Sequence, residues 1–133
     1  MPFDHEKLDV YRLSLDFVSQ VTHLCDDRTI PNRHIKDQLS RASLSIPLNI
    51  AEGNGKRSLQ DRRRFFEIAR GSAMECAALL DVLHRFSSGF RESDGEIKTL
   101  LLRIVSMLTR MVNPGGSRRR EAEGGSEFER CQE

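Results

Sequence analysis

The sequence predicts an all-α protein: an antiparallel up-down-up-down four-helix bundle over residues 1–113, followed by a disordered charged tail over 114–133. Three observations carry that expectation. Apolar residues recur at steps of three and four in four successive segments, the period of one helix face. Three short connections, each marked by proline, glycine or asparagine, join the segments. No strand-like alternation survives beyond three residues, and no internal repeat is present.

The first helix is expected from Asp4 to Asp26, with Leu8, Tyr11, Leu15, Val18, Thr22 and Cys25 on its inward face. Asp4, Glu6 and Asp9 fall in its opening turns, where carboxylates favour the positive end of the helix dipole. The stretch DDRTIPN then stops this helix and supplies a cap for the next. In the second helix Ile35, Leu39, Ala42, Ile46 and Ile50 form the apolar face. Pro47 lies inside it and predicts a kink or local break, because its ring removes a donor and crowds the carbonyl of Ser43. Gly53 is the expected C-terminal stop, in the left-handed conformation that glycine adopts freely.

The third helix opens at Ser58, with Asp61 in a capping-box-like position. Phe66, Ala69, Ala73, Cys76, Leu80 and Leu83 trace its inward face as far as about Ser87. Ala69, Ala73 and Ala77 recur every four residues and allow a neighbouring helix to approach closely. After SGFRESDGE, where Ser93 and Glu96 give a second capping signature, the fourth helix is expected over Asp94–Val112. Ten of the sixteen residues from Ile97 to Val112 are apolar. All but Leu102 fall within an arc of roughly 160°, wider than a coiled-coil seam and enough to leave apolar surface for a partner chain. From Asn113 the chain is Gly-rich and charged, with too little apolar content to offset the cost of ordering.

Charge is dense but balanced, 21 basic against 20 acidic residues, so bulk electrostatics name no partner. Its distribution is uneven. Residues 1–32 carry three basic and six acidic side chains, whereas 33–64 carry eight and three. Cys25, Cys76 and Cys131 are an odd set without metal-ligand spacing; Cys25 and Cys76 fall on apolar helical positions and read as buried free thiols, which implies a reducing cytoplasm. The N-terminus MPFDHEKLD has no apolar signal core, and no run approaches the ~18 apolar residues of a membrane span, so no membrane partner is expected.

The cluster Gly53-Asn-Gly-Lys-Arg57 invites comparison with a phosphate loop. Such a loop needs glycine, four residues, then Gly-Lys-Ser/Thr, entered from a strand. Here Ile50 stands where the first glycine belongs, Arg57 replaces the hydroxyl residue, and a helix leads in. The cluster therefore reads as an interhelical turn. The four histidines are scattered, no metal or cofactor motif occurs, and nothing nominates a nucleophile, so no enzyme activity is expected. Glu52, a carboxylate in an apolar stretch, is expected to be a buried structural partner, with Arg70 as a candidate counterpart. Arg63, Glu67 and Arg70 have the spacing of a surface ion network. Lys56, Arg57, Arg63 and Arg64, with Arg41 on the preceding helix, remain as a candidate nucleic-acid surface. Without interleaved aromatic residues it suits phosphate-backbone contact better than base readout.

Ser45-Ile-Pro-Leu-Asn-Ile-Ala-Glu-Gly53, then Arg57-Ser58, then Arg70-Gly-Ser72 with Glu75, resembles the four-helix-bundle family encoded by intervening sequences in bacterial 23S ribosomal RNA. That family includes the accessory variability proteins of diversity-generating retroelements, and the resemblance spans roughly residues 4–112. It implies an antiparallel bundle assembled as a ring-shaped homopentamer, without catalytic residues or cofactor. Its retroelement members bind a reverse transcriptase and nucleic acid, RNA or DNA, through basic surface. Pro47, Asn49, Glu52, Gly53 and Arg70 then match fold-defining motif positions. Two readings follow: a nucleic-acid-associated accessory protein, or a structural and protein-interaction module.

Overall fold

The computed structural model describes residues 4–86 and 92–113, without the side chains of Lys7, Glu92, Ser93 and Asp94. A single 3-10 turn, Asp4–Lys7, leads into α1 (Asp9–Asp26), α2 (Arg33–Asn54), α3 (Leu59–Phe86) and α4 (Glu92–Val112). Helices adjacent in sequence pack against each other, and α4 closes the ring on α1. The result is the all-α, four-helix, up-down-up-down bundle that the periodicity predicts, with no strand among the described residues. The expected tail, residues 114–133, lies outside the described residues, as do Cys131 and the α3–α4 connection.

The inward faces of α2 and α3 follow the sequence pattern residue by residue. Ile35, Leu39, Ala42, Ile46 and Ile50 are buried, and so are Phe66, Ala69, Ala73, Cys76, Leu80 and Leu83. On α4, Ile97, Leu101, Ile104, Leu108 and Val112 enter the core, while Leu102 points outward, 67% exposed. The face of α1 is rotated from the expected one. Val10, Ser14, Phe17 and Val21 are buried, whereas Leu15 and Thr22 are exposed. Ser14 takes an interior position because its hydroxyl donates to the Tyr11 carbonyl at 2.6 Å, which satisfies the polar atom within its own helix. Ser43 does the same on α2, donating to the Ser40 carbonyl at 2.9 Å.

Local chemistry explains the boundaries. The 3-10 turn replaces the expected first turn of α1 and is held by Arg12, whose Nε donates to the Glu6 carbonyl at 3.0 Å. Asn32 caps α2 in the left-handed region (φ 80°), which asparagine tolerates, and its Oδ1 accepts from the Ile35 N–H at 3.2 Å. Lys36 Nζ donates to the Asp27 carbonyl at 2.7 Å, tying that turn to α2. α4 begins at Glu92, which places Ser93 inside the helix and not at its cap.

Two expectations about α2 are corrected. The helix runs through Pro47 without a break, and the proline ring is buried between turns anchored by Ile46 and Ile50. Gly53 is not a left-handed stop. It is a buried helical residue, and α2 ends at Asn54 with Gly55 as the cap at φ −82°. A Cβ on Gly53 would stand 2.9 Å from Phe65 Cβ and 2.9 Å from Phe66 Cε1. Glycine is needed there because α3 passes too close for any side chain.

This packing is testable at two glycines and one cysteine. Phe65 Cβ is fixed to the backbone, so Gly53→Ala must push the helices apart, and it should lower stability by about 1–3 kcal/mol despite the better helix former. A Cβ added to Gly71, in the middle of α3, would meet nothing within 4 Å, so Gly71→Ala should raise stability by about 1 kcal/mol. Urea midpoints of the two variants moving in the same direction would contradict the packing account. The cysteine is Cys76, whose thiol pKa is pushed up to about 12 by burial, with help from the Glu75 carboxylate. The unfolded chain then loses this proton before the folded one. Stability should therefore fall as pH climbs through the ordinary thiol range, about 8–9. Cys76→Ala should flatten that fall, read as urea midpoint against pH.

Candidate nucleic-acid interface

The connection between α2 and α3 is four residues long, Gly55 to Ser58, and well braced. Gly55 N–H donates to the carbonyls of Ala51 and Glu52, each at 3.2 Å, and Lys56 N–H donates to the Gly53 carbonyl at 3.2 Å. Ser58 Oγ accepts from the Asp61 N–H at 3.1 Å, the N-cap bond expected from sequence. Arg62 reaches back across the turn, its Nη2 donating to Asn54 Oδ1 at 3.0 Å. Lys56 Nζ lies 5.1 Å from the centre of the Phe65 ring, a cation–π contact that holds the ammonium over α3.

These contacts divide the basic residues into two sets. Arg62 and Lys56 brace the turn. Arg57, Arg63 and Arg64 are exposed and make no hydrogen bond or ion pair among the described residues. Arg63 and Arg64 flank one shallow hollow together with Leu59, Gln60, Asp61 and Glu67. Arg41 is exposed but does not join them. It precedes Asn54 by thirteen residues, roughly 20 Å of helix. Between Glu52 and Arg64 the chain carries five cations and two carboxylates, so this stretch is locally positive, while the 3-10 turn packed on α2 brings Asp4 and Glu6 to the same end.

The other expected pairings do not form. Glu52 is exposed, with no partner among the described residues, so it is not a buried structural carboxylate. It sits on the outer face of α2, away from the side turned toward Ile46 and Ile50. The Arg63–Glu67–Arg70 network is absent because Arg70 turns toward α4. Its Nε donates to Thr109 Oγ1 at 2.8 Å, and that hydroxyl donates onward to the Val105 carbonyl at 2.8 Å. Arg70 therefore joins α3 to α4, a structural role with a different partner.

The remaining motif residues stitch α2 to α3. Ser45 Oγ and Ser72 Oγ are 2.9 Å apart, and Asn49 Nδ2 donates to Ser45 at both the carbonyl (2.7 Å) and Oγ (2.9 Å). Sequence reasoning does not single out Ser45, Ser72 and Thr109 as partners. A serine or threonine shows in sequence which bonds it can make but not which helix it meets.

The 23S rRNA-intervening sequence protein family model matches residues 6–110. Among solved structures, a protein of unknown function from the S23 ribosomal protein family of Bacteroides thetaiotaomicron VPI-5482 superposes with a TM-score of 0.72. It is 24% identical, the match covers 78% of this chain and 98% of that one, and the likeness is one of fold. No curated protein matches the chain.

The division between bracing and exposed motif residues is testable by stability. Asn49→Ala removes both bonds to Ser45 at a half-buried seam and should cost about 1–2 kcal/mol. Glu52→Ala removes an exposed, unpartnered carboxylate and should stay within about 0.5 kcal/mol of wild type. Denaturant midpoints in the reverse order would overturn the assignment.

Proposed function

We propose that this chain, which belongs to the 23S rRNA-intervening sequence protein family, is a non-enzymatic, self-associating accessory protein that contacts the phosphate backbone of nucleic acid. The observation that carries this reading is the trio Arg57, Arg63 and Arg64, exposed and unpaired on a braced turn. Unpaired guanidiniums on a rigid element suit phosphate oxygens, which they grip as two-pronged donors. The family is named for the 23S rRNA intervening sequences that encode its members, which makes RNA the first polymer to test. With Phe65 half-buried beneath Lys56, the turn offers no open aromatic face to stack on a base, so the contact is sequence-tolerant. Free thiols at Cys25 and Cys76 suit a reducing cytoplasm. Among the described residues no helix is long and apolar enough to cross a membrane.

Self-association, in a homopentamer, is the second part of the proposal. Leu44 and Leu48 on α2 are 50% and 59% exposed, and Ile68 on α3 is 42% exposed. All three stand within one turn of the Ser45–Ser72 contact, so they share the outer α2–α3 face. Apolar side chains grouped this way mark a contact surface. A ring would repeat the arginine trio on every protomer and turn weak single contacts into avidity.

Arg57→Ala/Arg63→Ala/Arg64→Ala should weaken RNA binding. It should also flatten the dependence of log affinity on log salt by roughly 2, at ~0.7 per lost contact to single-stranded RNA. Helix content and oligomer size should stay unchanged. Wild-type protein that retains no RNA at ~50 mM salt would sink the reading. Leu44→Asp/Leu48→Asp should shift sedimentation equilibrium toward the 15.2 kDa monomer, whereas a wild type already monomeric would refute self-association.

A further inference from the structure

Packing accounts for only part of the motif segment Arg70-Gly71-Ser72. Ser72 meets Ser45 on α2, and the half-buried Arg70 donates from Nε to Thr109 Oγ1 on α4 at 2.8 Å. The two terminal nitrogens of that guanidinium, Nη1 and Nη2, make no hydrogen bond or ion pair among the described residues. Most of its N–H donors are therefore unspent, on a planar group whose orientation the Nε bond already fixes.

Gly71 has no packing reason to be glycine. It lies in the interior of α3, where glycine forms helix less well than alanine, and a Cβ there would meet nothing within 4 Å. Gly53, by contrast, is required by the close passage of α3. The space that Gly71 leaves open belongs to a hollow of about 310 Å³ between α3 and α4, lined by Glu67, Arg70, Gly71, Thr109, Val112 and Asn113. That volume falls at the lower end of the range for small-ligand sites, roughly 300–1,000 Å³.

The hollow adjoins the basic turn. Glu67 stands on its rim and also borders the neighbouring hollow that holds Arg63 and Arg64. Along α3, Arg63 and Arg70 are two turns apart, ~10 Å. The two hollows together carry three guanidiniums, of Arg63, Arg64 and Arg70, against the carboxylates of Asp61 and Glu67, so their balance is positive. An arginine with a free fork suits an oxyanion. An internal phosphodiester bears a single charge and is flanked on both sides by sugar, which keeps it out of a hollow walled by two helices. A terminal phosphate projects from its strand, carries about −1.5 to −2 charges at pH 7 and offers three acceptor oxygens.

We infer that the hollow beside Arg70 binds the terminal phosphate of a nucleic-acid strand, gripped by the free arms of the guanidinium, while the backbone that follows lies along Arg63 and Arg64. This rests on the phosphate-contact function proposed above and adds recognition of a strand end to it. Gly71 keeps the hollow open at the expense of helix stability, the exchange of stability for function that binding sites commonly show. Glu67 repels any anion that enters, so removing its charge should help binding.

The test uses the full chain at ~50 mM salt, with unlabelled uridine oligomers competing against fluorescein-labelled poly(U) and read by anisotropy. Three competitors carry equal numbers of phosphates: a dodecamer with a 5′-phosphate, a dodecamer with a 3′-phosphate, and a tridecamer with hydroxyls at both ends. At least one phosphorylated dodecamer should bind about tenfold tighter than the tridecamer, the worth of one or two charge-assisted hydrogen bonds. Gly71→Ala should remove most of that preference, because its methyl enters the hollow, while raising the urea midpoint. Binding lost as stability rises is not a result of unfolding. Glu67→Gln, at an exposed carboxylate, should tighten the preferred dodecamer at least twofold. Equal affinity of wild type for all three oligomers would overturn this inference and leave the backbone contact standing. An undiminished preference in Gly71→Ala, or weaker binding by Glu67→Gln, would overturn it as well. Should poly(U) itself not bind, the proposed function fails, and calorimetric titration with uridine 5′-monophosphate and with uridine decides the hollow alone. Binding of the nucleotide but not the nucleoside would retain the terminal-phosphate site, and binding of neither would remove it.

Discussion

The close passage of α3 beneath Gly53 governs the rest of the molecule. With a hydrogen atom as its side chain, Gly53 lets Phe65 and Phe66 press against the α2 backbone, and the two longest helices meet at that point. Farther along the seam, Ser45, Asn49 and Ser72 exchange hydrogen bonds where larger side chains would hold the helices apart. The same closeness shortens the connection to four residues and places Phe65 where Lys56 can lie across it. Which cations remain for other molecules is therefore a consequence of packing. Arg62 and Lys56 are consumed in holding the turn, and Arg57, Arg63 and Arg64 are left free.

Much of this architecture is legible in the sequence. On α2 and α3 the apolar spacing is regular over five and six positions, so the pattern names the buried apolar face correctly. On α1 the pattern is ambiguous because Leu15 and Ser14 are adjacent. Reading by hydropathy favours the leucine. The structure buries the serine, whose hydroxyl is satisfied within its own helix and whose small volume suits a crowded position. At Gly53 the sequence signals that glycine is necessary but points to the wrong physical reason. Glycine serves both for unusual backbone angles and for close approach, and a single sequence does not separate the two.

The candidate site is legible in composition and not in pairing. Sequence spacing brings Arg63, Glu67 and Arg70 into register along one helix, yet the guanidinium of Arg70 finds a neutral hydroxyl on α4. A half-buried arginine gains more from a fixed, partly desolvated hydrogen bond than from an exposed carboxylate whose attraction water screens. Glu52 shows the converse error. Apolar neighbours in sequence do not bury a carboxylate when the helix turns it outward. Charge alone groups Arg41 with the turn, although helix length separates them.

The even count of helices has an architectural consequence. Antiparallel packing sets the start of α1 and the end of α4 on adjacent helices at the same pole, about one interhelical spacing, 8–10 Å, apart. A module entered and left through neighbouring points resembles a cassette. It could be spliced into a surface loop of a larger host, or joined head to tail in tandem copies, with little strain on either partner.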